Sequence, residues 1–410
     1  MSAQRPSLFA LFCRHRWLAT LRSRIERHPR GFYLLCLAVL CERWAAAILS
    51  SSLVFMLFEN YGHSRGEALR LCGLYNAASY FLTLPGGFAI DRILGARRSL
   101  SAGMALLSCG YAVLTIPSPS ALWPSASLLL LGHALFKPSS QVVMALLYER
   151  HDRRLDGAQI AVYLVINVAV TAGSVCAGLL SGSLDFRAAF TLAAAVLLVG
   201  TLAVFLGKSV LRLRHKQLSP SVSAPMPPLT LSSRQRVQRI AALTLAMLLF
   251  AVGFGQVEGS LLLWARDRTD RFLLGFEIPA AWFVGLPALL VLLLAPAQLA
   301  LLPRLQQTTT TPRLVAWGLV AVALAFAVLL PPALLLPAQR VSMLWLLASM
   351  TLLVTGELLI SPLGLSLLLR LAPPRFVGVV LGVWYVAGAL GCWLAGELGA
   401  LWATQMQRRQ

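Results

Sequence analysis

Thr355-Gly356-Glu357-Leu358-Leu359-Ile360-Ser361-Pro362-Leu363-Gly364-Leu365-Ser366 is the stretch on which the fold turns. It sets a carboxylate and a proline inside an apolar run that begins near Met343 and resumes through Leu369. About 20 apolar residues suffice for a helix to cross a bilayer, so Glu357 sits mid-segment at bilayer depth. A charge there costs about 2.5–3.5 kcal/mol on insertion scales and faces a bundle interior or a wet path. Pro362 removes a backbone donor and invites a kink. The structural alternative is a partly neutral Glu buried against a second helix.

Working outward, similar runs recur near 31–57, 71–90, 99–117, 121–147, 158–182, 188–209, 238–264, 278–302, 314–336, 341–369 and 376–402. With 58% hydrophobic residues, 12% charged and mean hydropathy +0.76, these runs read as membrane helices and not as one large soluble core. The fold class is therefore an all-α membrane protein of about 11–12 transmembrane helices. The net charge of +20 would suit nucleic acid, but its distribution argues otherwise. With the N-terminus placed inside, the inside tail and loops hold 24 Lys and Arg against seven outside. That asymmetry follows the positive-inside rule. It predicts a multi-pass protein of the cell inner membrane with a cytoplasmic N-terminus, anchored beside anionic lipid, and it excludes nucleic acid as a partner. Eleven segments leave Arg408 and Arg409 outside, against the same rule.

Residues 1–30 read as a basic cytoplasmic arm with the look of an interfacial helix, and 31–210 as a six-helix bundle. A linker rich in Ser, Pro and Arg covers 211–237, and 238–410 forms a second bundle without a recognisable last helix. The seven cysteines are scattered through apolar runs and the six histidines are dispersed. No redox, metal-ligand or nucleophile–base spacing results, so no enzyme, metal or cofactor is expected.

Polar residues inside the helices are the candidates for function. Glu42-Arg43 lies deep in the first segment, as a compensating or purely structural pair. Gly86-Gly87-Phe88-Ala89-Ile90-Asp91-Arg92 leads to Gly95-Ala96-Arg97-Arg98; its glycines permit close helix approach. Lys137 precedes Pro138 in the fourth segment, where its ammonium could receive a carboxylate or pair with Glu42. Gln159, Tyr163 and Asn167 recur every four residues and share one helix face. That face suits either a wet cavity or interhelical hydrogen bonds. Gln256 and Glu258 lie above mid-depth in the seventh segment.

Together these residues resemble the proton-dependent oligopeptide transporters, a branch of the major facilitator superfamily, over roughly residues 32–400. The likeness rests on Glu42-Arg43, Gly86 through Arg98, Phe136-Lys137-Pro138, Tyr163 with Ile166-Asn167, and Gln256 with Ser260-Leu261. Ile278-Pro279 and Gly356-Glu357 through Pro373 complete it. The resemblance implies two six-helix bundles around a central cavity and alternating access. It implies that Lys137 takes a peptide carboxylate or couples to Glu42, and that Glu357 faces the amino group. Tyr163, Asn167 and Gln256 would line the cavity; Glu42, Arg43 and Glu357 would respond to protons. Gly86, Asp91, Arg92, Pro138 and Pro362 would serve conformational gating. Protons and small peptides would be the cargo.

Departures from the pattern are concentrated in helix one. Val39 stands for a first Glu, Trp44 for a Phe, Ala46 and Ala47 for paired tyrosines, and Ser50 for a second Arg. The expected function is proton-coupled import of di- or tripeptides or peptide-like compounds. Two alternatives stay open: carriage or export of another small amphipathic substrate, and a transport-inactive scaffold or sensor. The incomplete second bundle would suit homo- or hetero-oligomer contacts.

Overall fold

Polar caps and prolines set where the helices of this chain start and bend. The computed structural model describes residues 28–148, 152, 154–180, 186–211, 232–335, 339–373 and 376–407. The basic arm through residue 27 and linker residues 212–231 lie outside that set.

In the first half, α1 (Arg30–Phe55) runs on through a π-helical turn, Met56–Asn60. Next comes α2 (Arg65–Phe81), which opens at a capping box in which Ser64 and Glu67 satisfy each other's backbone N–H. It therefore starts well before residue 71, the expected boundary. The chain continues through α3 (Thr83–Ala89), α4 (Ala96–Leu114), α5 (Leu122–Leu147), α6 (Arg154–Leu180) and α7 (Phe186–Leu206). Ahead of α6, Asp152 accepts from the Arg154 backbone N–H at 2.9 Å and from its guanidinium. Those donors hold the Asp152 carboxyl below its usual range.

The second half starts at α8 (Ser233–Phe254), inside the stretch read as linker. A capping box between Ser232 and Gln235 nucleates it there. The seventh segment is not one helix: it unwinds at Gly255–Gly259 and resumes as α9 (Ser260–Asp267). Then follow α10 (Trp282–Thr308), α11 (Thr311–Ala327), the short α12 (Leu330–Leu335), α13 (Met343–Leu371) and α14 (Val377–Gln407). Sequence reading gave no strands, yet short ones occur between helices. β1 (Thr269–Asp270) pairs in parallel with β4 (Val341–Ser342), and β2 (Phe272–Leu273) forms a hairpin with β3 (Phe276–Glu277). Eight helical stretches among the described residues are long and apolar enough to cross a membrane by length and composition.

The two halves repeat one packing scheme. In the first, α1 lies on α6 and α4 on α5; in the second, α8 lies on α14 and α11 on α13. The N-half helix α7 covers α1 and α4. The bundles meet where α2 packs on α14 and α6 on α10. Small residues make that approach possible: a Cβ on Gly73 would lie 2.7 Å from Gly396 Cα.

Pro138 and Pro362 each leave a carbonyl without its intrahelical donor, and in both cases a neighbouring helix comes to it. Pro362 frees the Leu358 carbonyl, which receives the Gln298 Nε2 donor of α10 at 2.6 Å. Pro138 frees the Ala134 carbonyl, and Gly86 of α3 lies directly against it. Only one of the paired glycines is used in this way, for nothing lies within 4 Å of a Cβ built on Gly87. Gly86→Ala should therefore overpack a backbone–backbone contact, at about 1–3 kcal/mol. Gly87→Ala should be neutral or slightly stabilising. Thermal unfolding of the purified variants in detergent checks this, and equal midpoints for the two would contradict it.

Candidate functional site

Among the described residues Glu42 is the most enclosed acidic or basic side chain apart from histidine, with 1% of its surface exposed. Helix α1 supplies its counter-ion from the next position. Arg43 Nε donates to Glu42 Oε2 at 2.5 Å and Nη2 donates to Oε1, a two-pronged pair. Such geometry offsets the desolvation that a lone buried carboxylate would suffer. From α5, His133 brings Nδ1 within 3.1 Å of Glu42 Oε1, close but out of hydrogen-bond alignment.

Lys137 stands one turn beyond His133 on α5. It does not pair with Glu42, as the sequence allowed. Arg43 already occupies both carboxylate oxygens, and the ammonium donates to Ser79 Oγ at 2.5 Å, lying 4.9 Å from the Tyr80 ring centroid. Its cradle is thus a hydroxyl and an aromatic face.

Across the interface, Gly356 lets α13 lie against α11, since a Cβ there would be 2.8 Å from the Gly318 carbonyl. The following residue, Glu357, is half-buried, and its carboxylate takes no hydrogen bond from any described residue. It lies within electrostatic reach of Tyr80 and Tyr163, both on the first bundle. Tyr80 therefore touches the Lys137 ammonium of its own bundle and lies within electrostatic reach of the Glu357 carboxylate of the other.

Other expected site residues fare differently. Tyr163 is 39% exposed. Asn167 is buried and spends its amide on the Tyr163 carbonyl at 2.8 Å, inside its own helix. Gln256 is also a structural group: Nε2 donates to the Ala395 carbonyl at 3.0 Å and Oε1 accepts from Ser260 at 2.5 Å. It ties the turn, whose backbone bonds have tightened to i→i−3, to α14. Asp91 and Arg92 are exposed in a π-helical turn, Ile90–Leu94, and no described side chain engages Asp91. Gly95, at φ 75°, lets the chain reverse after that turn.

Sequence reading missed a set of polar links between the bundles. Asn76 Nδ2 donates to Glu258 at 2.8 Å. Arg65 meets Asp267 at 2.7 Å, Arg70 meets Glu397 at 3.1 Å, and Arg266 pairs with Glu59 while its guanidinium lies over Phe55 and Phe58. Trp282 Nε1 donates to the Val175 carbonyl at 3.1 Å. All lie toward the end of the bundles that carries Asn60 and Asp267. The glycines flanking Glu258 and the charge run from Arg266 to Arg271 were the available signals; the partners were far off in sequence. These links join the two bundles at that end, while Tyr80 and Tyr163 keep 40% and 39% of their surface exposed.

Residues 35–396 match the family model described as Major Facilitator Superfamily. Dipeptide and tripeptide permease A of Chromobacterium violaceum is 28% identical, over 92% of this chain and 86% of its own length. The peptide transporter YePEPT of Yersinia enterocolitica is 27% identical, over 82% and 80%. A crystal structure of a peptide transporter POT in complex with alafosfalin superposes with a TM-score of 0.84 at 25% identity, covering 94% of this chain and 91% of that one. A POT family transporter in complex with 5-aminolevulinic acid shares the fold, with a TM-score of 0.81 at 20% identity over 94% and 96%. These findings bear out the resemblance to the oligopeptide transporters read from helix one, the Lys-Pro block and the Gly-Glu block, and the chain belongs to the major facilitator superfamily of membrane transporters.

Proposed function

We propose that this protein imports di- or tripeptides, or peptide-like zwitterions, together with protons by alternating access across the inner membrane, its N-terminus cytoplasmic. The observation that carries the reading is the opposed pair. Lys137 on one bundle rests on the Tyr80 ring, and Glu357 on the other lies within electrostatic reach of that same ring, which supports a site shared by the two charges. A free peptide carries a carboxylate and an ammonium at its two ends, and each finds its complement on a different bundle. Substrate binding then draws the bundles together at the open end. The linked end must release before the cargo can be reached from the other side. The names of the relatives, a dipeptide and tripeptide permease and a peptide transporter, support the substrate class.

The eroded helix one favours a second reading within the same mechanism. Ala46, Ala47 and Ser50 offer little to clamp a peptide backbone, so a smaller zwitterion would fit the two charges as well. A related transporter crystallised with 5-aminolevulinic acid is in keeping with that.

Exchange of labelled dialanine in proteoliposomes separates these readings. Unlabelled dialanine should compete fully. N-acetylated and C-amidated forms should each lose competition by about tenfold or more, the worth of one charge-assisted hydrogen bond. Equal competition by all three would remove the two-ended site. Exchange of a small amino acid without exchange of dialanine would support the second reading.

A further inference from the structure

His133 is a titratable group that the two-ended site leaves without work. It lies on α5, 4% exposed, and reaches across to α1, where its Nδ1 is 3.1 Å from Glu42 Oε1. Helix one offers no other acid one turn before Glu42, because Val39 occupies that place. Glu42 itself is bound by Arg43 through both oxygens, so both are engaged while that pair lasts. An imidazole against the same carboxylate provides a second basic atom at the same spot.

We propose that His133 and Glu42 form the proton-carrying pair of this transporter, the imidazole supplying the acceptor that helix one lacks. The proposal rests on the reading of the chain as a proton-coupled peptide carrier.

The local charges explain why proton binding and cargo binding would be linked. Facing the pair are Arg43 on α1, Lys137 on α5, Tyr75 and Tyr80 on α2, Tyr111 on α4 and, farther off, Glu258 from the unwound turn. Helices α6 and α7 present glycines to α1, Gly173 beside Trp44 and Gly200 beside Cys41. Without cargo, the near charges are two cations, Arg43 and Lys137, and one anion, Glu42. A third cation on His133 is then opposed. A cargo carboxylate at Lys137 cancels one of the two, and the imidazole lone pair can accept a proton from water. That proton resides on His133 or passes to Glu42 Oε1, and it leaves to water on the far side once the carboxylate departs. Each site must then change the affinity of the other by the same factor.

Three readouts test this on the full-length protein. The first is pH-difference infrared spectroscopy of wild type and His133→Gln without cargo and with dialanine. Dialanine should make an imidazole protonation band appear between about pH 5 and 8, with a concurrent Glu42 carboxylate change, and both should be absent in His133→Gln. The second is accumulation of labelled dialanine in proteoliposomes under an inward gradient of about one pH unit, whose ceiling is about tenfold per proton. Wild type should approach that ceiling and His133→Gln should fall to about onefold. The third is exchange, which needs no gradient and serves as the reference for the accumulation result. His133→Gln that accumulates as wild type does, or a wild-type imidazole silent to dialanine, overturns the proposal. Wild type that shows no exchange of dialanine overturns the peptide reading instead. In that case the infrared titration, repeated with acetate as the carboxylate at Lys137, still decides whether His133 and Glu42 respond as a pair.

Discussion

Lys137→Ala is expected to reduce dialanine uptake by at least about thirtyfold, while the protein inserts and purifies as wild type does. The two halves of that expectation have separate causes. Removing the partner of a buried carboxylate costs about 2–5 kcal/mol of binding, and on the proposed reading Lys137 is the cation that meets a cargo carboxylate. In the cargo-free protein, however, Lys137 rests on the Ser79 hydroxyl and the Tyr80 ring. Its loss strands no acid, since Glu42 keeps Arg43. Normal insertion with lost uptake therefore marks a binding group. Near-normal uptake would remove Lys137 from the site, and a variant that failed to fold would show it holding the bundle together. Lys137→Arg keeps the charge but not the compact ammonium that fits between Ser79 and Tyr80, and should recover uptake only in part.

Glu357→Gln should weaken cargo binding by about tenfold to a hundredfold, the range of a hydrogen bond to a charged group. The fold should tolerate it well. No described residue donates to the carboxylate, so an amide of the same shape leaves no partner unsatisfied. A second signature separates it from Lys137→Ala. With the amine end affected, N-acetylated dialanine should compete about as well as dialanine against the variant, though not against wild type. Binding measured by calorimetry with both ligands checks it. A full preference for the free amine in Glu357→Gln would place the ammonium elsewhere.

How much of this was legible in the sequence depends on the range of the interaction concerned. Apolar periods of membrane length gave the class, because lipid forces every backbone group to be satisfied inside its own segment; eleven such runs were read, and eight helical stretches among the described residues are long and apolar enough to cross a membrane. Glu357 and Lys137 announced themselves by cost: a charge placed at bilayer depth needs a reason. Two other candidates, Asn167 and Gln256, were equally polar on paper and turned out to serve the backbone. Residue type could not separate these outcomes, since an amide can satisfy a carbonyl as readily as a ligand. The Gly86-Gly87 pair shows the same limit, with one glycine under the Ala134 carbonyl and its neighbour open.

The linked end of the bundles was hidden for a different reason. Asn76 and Glu258 are 182 residues apart, and Arg266 and Glu59 are 207 apart. Single polar groups carry no mark of their partner, and these pairs are part-buried. Their significance comes from acting together on one end of one interface. The boundary of α8 failed on a local rule that was available: Ser232 with Gln235 is a capping signature, overshadowed by the prolines before it.

Labelled dialanine uptake by the purified protein in proteoliposomes, under an inward proton gradient and an interior-negative potential, tests the central claim most directly. Each charge moved inward gains about 2.3 kcal/mol per 100 mV, so a proton-coupled importer should concentrate dialanine inside, and collapsing the gradient with an ionophore should release it. Dialanine that only equilibrates, or fails to enter under a verified gradient with folded protein, would contradict proton-driven peptide import by this chain.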